Sequence, residues 1–68
     1  MSPYRCIGTY KGRPINCEHV GGDMYTVWPK EGDSFDHVPG FDDFLINGRH
    51  PKLIQHADDG KYIALMSY

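Results

Sequence analysis

Long hydrophobic runs are absent from this 68-residue chain. Its longest aliphatic stretch lies at residues 63–66, far short of the ~20 apolar residues that a membrane-spanning helix needs. The N-terminal residues also lack the apolar core of a secretory signal peptide. The sequence therefore predicts a cytoplasmic protein that has no association with membranes.

Cysteine is scarce, with two residues, Cys6 and Cys17. In a reducing cytoplasm we expect both to be thiols that pack as small hydrophobic side chains. A disulfide between them is one alternative. A zinc site is another, with further ligands drawn from His19, His37, His50 and His56. Because no close Cys-x-x-Cys pair is present, we expect no metal and no cofactor.

Catalytic and nucleotide-binding motifs are also missing. The chain has no Gly-x-Ser-x-Gly element and no glycine-rich phosphate-binding loop. Asp36-His37 is an adjacent carboxylate–imidazole pair, but neighbouring side chains of a strand point to opposite faces, so adjacency alone does not build a catalytic pair. The sequence therefore predicts that the protein is not an enzyme.

The length and composition predict a single small domain that spans residues 1–68. Apolar residues make up 40% of the chain and aromatic residues 13%, which argues against intrinsic disorder. The formal net charge of −2 is too small to indicate a general binder of polyanions or polycations.

Aromatic and β-branched residues, separated by turn residues, predict five strands. These strands cover residues 4–10, 14–20, 24–28, 52–57 and 61–67. Glycines in the intervening turns supply the positive φ angles of tight hairpins, at Lys11-Gly12, Gly21-Gly22-Asp23 and Asp58-Asp59-Gly60.

The first turn also predicts a strand register. A two-residue turn at residues 11–12 places Cys6 opposite Cys17, whereas a four-residue loop would place Gly8 there. The tighter turn is preferred because it leaves Pro14 at a site that needs no backbone N–H donor.

Between the third and fourth strands, apolar residues at positions 41, 44 and 45 predict about two helical turns over residues 41–47, ended by Gly48. The predicted fold is mainly β (α+β), in the order β-β-β-(loop/short helix)-β-β. It is a five-stranded antiparallel curled sheet or a small SH3-like or OB-like barrel. An open sheet with the helix across one face is the alternative.

Lys and Arg are absent from residues 31–43, which hold five carboxylates, while the rest of the chain holds seven Lys or Arg and four acids. Such a concentration attracts basic surfaces and repels phosphates. Interleaved phenylalanines suit an interface in which carboxylates steer and an aromatic anchor supplies affinity. The predicted partner-binding residues are Glu31, Asp33, Phe35, Asp36, Phe41, Asp42, Asp43 and Phe44. A loop that is merely solvated is the alternative.

We therefore expect a small non-enzymatic binding protein that docks its acidic 31–46 segment on a basic groove of a partner protein. A partner that handles nucleic acid fits best, because spaced carboxylates mimic phosphates. Phages and mobile elements use small chains of this type as inhibitors. Nucleic acid itself is not the expected ligand.

A second hypothesis is direct binding of single-stranded nucleic acid. Tyr and Trp side chains of the sheet would stack on bases, with Arg5, Arg13 and Lys52 on phosphates. The acidic net charge opposes it. A homodimer is also open, paired through an edge at the first or last strand, near Met66 and Tyr68.

Overall fold

Strands joined by tight turns make up most of the computed structural model, which describes residues 6–35, 39–58 and 60–67. The strands are β1 (Gly8–Tyr10), β2 (Arg13–Gly21), β3 (Met24–Pro29), β4 (Phe44–Ile46), β5 (Leu53–Asp58) and β6 (Lys61–Leu65). One 3-10 turn, Phe41–Asp43, precedes β4, and these residues contain no α-helix. The predicted mainly β class is confirmed, with six strands rather than five.

All six strands belong to one antiparallel sheet in the order β4-β1-β2-β3-β6-β5, which curls into a half-barrel. The first and last strands of the predicted order, β1 and β6, lie inside the sheet, so neither offers the edge that the homodimer hypothesis considers. Its edges are β4 and β5. Met66 is buried at 9% exposure, so it serves the core, and Tyr68 lies outside the described residues.

The first hairpin has the predicted register, with Tyr10 opposite Arg13. The two residues between them, Lys11 and Gly12, have φ angles of 51° and 82°. Two consecutive positive φ angles are typical of the type I′ turn, whose twist matches that of the flanking strands. The chain therefore uses the two-residue turn and not the four-residue loop.

This register brings Cys6 to Cys17, and the two form a disulfide with their Cα atoms 5.6 Å apart. That spacing is typical of directly opposed residues in an antiparallel pair and lies within the range that a disulfide spans. The prediction that the two cysteines face each other is confirmed, whereas the prediction that both are thiols is wrong for this structure.

The predicted helix over residues 41–47 is also wrong beyond its first turn. Phe44 and Ile46 are fully buried and Leu45 is 36% exposed, which is the alternation of a strand. Asn47 and Gly48, with φ angles of 53° and 82°, form a second two-residue turn. A short apolar segment fits helix and strand equally well, and Asn-Gly is the stronger signal, because it is typical of hairpin turns.

Gly48→Ala is expected to lower the free energy of unfolding by about 1 kcal/mol, because L-residues disfavour the positive φ of this position. Open space surrounds a Cβ built at Gly48, so backbone strain is the main cost. Urea unfolding followed by circular dichroism measures the change. A chemically synthesised chain with D-alanine at the same position should keep the wild-type midpoint, and equal losses for both alanines would contradict the assignment.

The core lies on the concave face of the half-barrel. Alternate residues of the strands point into it, so Val27 of β3 and Ala64 of β6 are both fully buried. The buried hydrophobic set is Tyr10, Ile15, Val27, Phe44, Ile46, Ala64 and Met66. Such a core is small, so each large member carries a substantial part of the stability.

The loop between β3 and β4 closes the open side of the curled sheet. The ring of Phe35 in this loop lies 4.7 Å, centroid to centroid, from the Tyr10 ring of β1. It also lies 5.1 Å from the Phe44 ring of β4 and 5.9 Å from the Tyr62 ring of β6. Because a curled sheet cannot cover its own concave face, an aromatic side chain of the loop completes the core.

Candidate functional site

Hydrogen bonds within the 3-10 turn and to the neighbouring hairpin hold the turn at the start of β4. The Asp43 N–H donates to the Gly40 carbonyl oxygen at 3.1 Å, and the Gly40 N–H donates to Asp43 Oδ2 at 3.3 Å. The Lys11 N–H donates to the Asp43 carbonyl oxygen at 2.9 Å. The Asp43 carboxylate therefore caps the turn, and the backbone is tied to the β1–β2 hairpin.

Phe41 points outward from this turn and is 51% exposed. Asp42, its neighbour, is exposed as well. The ring and the carboxylate are therefore presented from a backbone that is hydrogen-bonded at Gly40 and at Asp43. Pre-organisation of this kind lowers the entropy lost when a side chain becomes part of an interface.

Two other phenylalanines of the predicted site have a different role. Phe44 is fully buried and Phe35 is half-buried against Tyr10, Phe44 and Tyr62. Phe44 therefore belongs to the buried core, and Phe35 packs against that core, so the exposed surface of the segment excludes Phe44 and most of the Phe35 ring. Of the three phenylalanines, Phe41 alone is the surface residue.

The loop that carries Glu31 and Asp33 has a more balanced charge than the sequence indicates. Asp33 Oδ1 lies 3.2 Å from Nη1 of Arg13, in an exposed ion pair worth about 0–1 kcal/mol. The pair compensates the charge of Asp33, a contact that no sequence pattern indicates. Glu31 is exposed and makes no ion pair within the described part of the chain.

The 31–33 loop and the 3-10 turn, which both belong to the acidic segment, contact the same β1–β2 hairpin. The backbone of Lys11 contacts Asp43, and Arg13 contacts Asp33, so the 3-10 turn and the 31–33 loop flank the β1–β2 turn. We call the exposed residues of these parts the acidic turn surface, which consists of Glu31, Asp33, Phe41 and Asp42. Asp36, also predicted for the site, lies outside the described residues.

The aromatic residues invoked for base stacking are mostly in the core. Tyr10 is 5% exposed, and Tyr25 and Tyr62 pack against the buried cluster. Trp28 lies on the outer face of β3, half-buried, with Nζ of Lys61 5.0 Å from its ring centroid. A single half-buried indole is a small platform for successive bases.

The sulfur and imidazole groups of the described residues have other partners or positions than those of a metal site. Both cysteines are in the disulfide, and no group of three or more potential ligands occurs among the described residues. His19 and His50 instead contact backbone carbonyl oxygens, with ring nitrogens 2.7 Å from Gly22 and 2.8 Å from Phe44. His37 lies outside the described residues.

The fold and the surface together define a small, mainly β domain built as a six-stranded half-barrel. Comparison with protein-family models, curated proteins and solved structures finds no match to this chain. Among the described residues, no helix has the length and apolar character that crossing a membrane requires.

Proposed function

We propose that this protein is a non-enzymatic binding protein that docks on a basic groove of a partner protein through the acidic turn surface. The observation that carries the proposal is the exposure of Phe41 at a hydrogen-bonded turn, beside the exposed carboxylate of Asp42. The original segment of residues 31–46 is thereby reduced to its exposed members.

Phe41 is the proposed anchor. Binding energy at protein interfaces is concentrated in a few residues that fill pockets, often large aromatic ones. The turn under Phe41 is tied to Gly40 and Lys11, so little backbone freedom remains to be lost on docking. Phe44 is buried in β4, whereas Phe41, in the 3-10 turn before it, is exposed and can enter a partner's pocket.

The carboxylates are proposed to select and steer the partner. Glu31 and Asp42 are exposed, while Asp33 shares its charge with Arg13. Charges at the rim of an interface act mainly on the association rate and on its salt dependence. A groove lined by Lys and Arg, built to hold phosphates, complements such a surface, so the partner class is a protein that handles nucleic acid.

Occupation of such a groove would exclude the nucleic acid that normally binds there. The proposed activity is therefore inhibition by competition, of the type that phage and mobile-element proteins exert on a host's nucleic-acid machinery. Duplex DNA and the protein should compete for one site on the partner, and saturation with either should displace the other.

The test starts from partner capture on the immobilised chain in a nuclease-treated lysate, followed by affinity measurements with the purified partner. Phe41→Ala is expected to weaken binding about 30-fold, the effect of losing a hot spot worth about 2 kcal/mol. Asp42→Asn is expected to slow association several-fold and to flatten its dependence on salt.

Glu18→Gln is the matched control for Asp42→Asn, because it removes one exposed carboxylate from the outer face of β2. It should leave both rate constants unchanged. If Phe41→Ala binds like the wild type, or if Glu18→Gln weakens binding as much as Asp42→Asn, the proposed surface is rejected.

Direct nucleic-acid binding gives a different result in the same set of variants. It would depend on Trp28 and Lys61 and would be unaffected at Phe41. Quenching of Trp28 fluorescence by an oligonucleotide at low salt, lost in Lys61→Ala, would support that alternative over docking on a protein.

A further inference from the structure

The two edge strands of the sheet differ in how well they are protected from pairing with another strand. β4, at one edge, is three residues long, and the chain folds back over its end through a bridge between Ile46 and Arg49. β5, at the other edge, is six residues long and pairs only with β6 among the described residues. Alternate backbone N–H and C=O groups on its outer side therefore have no strand to bond.

The composition of β5 does not prevent pairing with another strand. Natural edge strands are commonly protected by lysine, proline or other charged residues. Residues 53–57 are Leu-Ile-Gln-His-Ala, with no proline and no Asp, Glu, Lys or Arg, and Asp58 at the end of the strand is its one such charged residue. The one irregularity of the strand is a register shift between His56 and Asp58, at its end. The edge is thus open over most of its length.

An exposed apolar row leads across the outer face of the sheet to this edge. Met24 of β3 is opposite Leu65 of β6, which is opposite Leu53 of β5. Met24 is 39% exposed and Leu53 is 40% exposed. The row ends at the last strand, where a further strand would extend it.

We propose that β5 pairs antiparallel with β5 of a second copy of this chain, joining two half-barrels into one continuous sheet. A two-fold axis through a strand pair relates residue i of one copy to residue j of the other, and the same patch serves both. Directly opposed residues of an antiparallel pair point to the same face of the sheet, so the convex faces of the two copies are continuous. The two-fold axis then passes between one residue of β5 and the same residue of the second copy.

We place Gln55 on the axis, because this register pairs residues 53–57 of one copy with residues 53–57 of the other, and these residues include no Asp, Glu, Lys or Arg. Leu53 of one copy then lies opposite Ala57 of the other, and the two Gln55 residues lie opposite each other. Leu53 and Ala57 are both exposed in the single chain. No like charges are brought together, and the apolar row continues across the interface.

A second copy suits this edge better than a highly charged partner strand, because residues 53–57 offer no charge for recognition. A six-residue strand is roughly 20 Å long, so the interface is small and the dimer should be weak. The acidic turn surface stays free, since Phe41 precedes β4 at the opposite edge.

The test uses charges placed on the two-fold axis. In sedimentation equilibrium from about 20 μM to about 1 mM, the wild type is expected to show a monomer–dimer equilibrium. Gln55→Lys and Gln55→Glu should each raise the dimer dissociation constant about fivefold, because like charges face each other. A mixture of the two variants should form heterodimers at least as readily as the wild type forms homodimers.

Leu45→Lys is the control, since Leu45 is an exposed residue on the outer face of the other edge strand. It should dimerise like the wild type. A chain that stays monomeric throughout this range overturns the proposal, as does a dimer that Leu45→Lys disrupts and Gln55→Lys does not. Failure of the Lys–Glu mixture to recover dimerisation would reject the register centred on Gln55.

Discussion

Phe44→Ala is expected to unfold most of the protein at room temperature, whereas Phe41→Ala is expected to leave it folded. Phe44 is fully buried, and its ring lies 4.8 Å from that of Tyr10 and 5.1 Å from that of Phe35. Truncating a buried phenylalanine costs about 3–5 kcal/mol, through lost burial and the cavity left behind. Chains below 70–80 residues rarely have more than about 3–5 kcal/mol of stability from a single core.

Phe41 has the same side chain three positions earlier, but half of its surface is already in water. Its truncation should cost about 1 kcal/mol or less. Urea unfolding followed by circular dichroism, together with the peak dispersion of an amide NMR spectrum, measures both variants. Phe44→Leu should remain folded, because it retains most of the volume. Equal destabilisation by the two alanines would contradict the burial on which the acidic turn surface depends.

Removal of the disulfide is expected to have the second largest effect. Cys6 and Cys17 are separated by 11 positions, and closing a loop of that size lowers the entropy of the unfolded chain. Reduction should therefore lower the free energy of unfolding by about 2–3 kcal/mol. The measurement is the urea midpoint with and without dithiothreitol.

The double variant Cys6→Ser/Cys17→Ser supplies the control. Its midpoint should match that of the reduced wild type and should not respond to dithiothreitol. Two thiols titrated in the native, unreduced protein would show instead that the cysteines are unpaired and that the original expectation of thiols is right.

The first hairpin shows which features of the fold depend on residues close together in the sequence. The register at Lys11-Gly12 was predicted from sequence because a hairpin is local: a two-residue turn with a positive φ at each position sets which residues are opposed. That register in turn placed Cys6 opposite Cys17. Whether the two sulfurs form a disulfide depends on the redox conditions, which the register does not determine. The expectation of thiols, which assumed a reducing cytoplasm, differs from the disulfide in the structure.

The segment at residues 41–47 shows where local pattern fails. Apolar residues at 41, 44 and 45 fit one side of a helix, but the chain forms a 3-10 turn and then the strand β4. β4 is stabilised by pairing with β1, more than 30 residues earlier, so tertiary contact outweighs the local preference. Asn47-Gly48 is the signal that favours the strand, because this dipeptide is typical of a hairpin turn as well as of the end of a helix.

The structure distinguishes residues of the candidate site that composition alone cannot. Composition located the acidic segment and its phenylalanines, but it treated Phe35, Phe41 and Phe44 as equivalent. The structure divides them, because Phe35 and Phe44 fill the concave face and Phe41 faces solvent. The Arg13–Asp33 pair joins residues 20 positions apart, and charge counting along the chain cannot detect it.

The sequence by itself determined the β class, the turns that join β1 to β2, β2 to β3 and β5 to β6, and the register of the first hairpin, since each depends on backbone preferences within a few residues. Tertiary structure alone decided the position of β4 beside β1, the open edge at β5 and the division of the phenylalanines between core and surface. These features depend on contacts between distant segments, and they follow from how a curled sheet must cover its concave face.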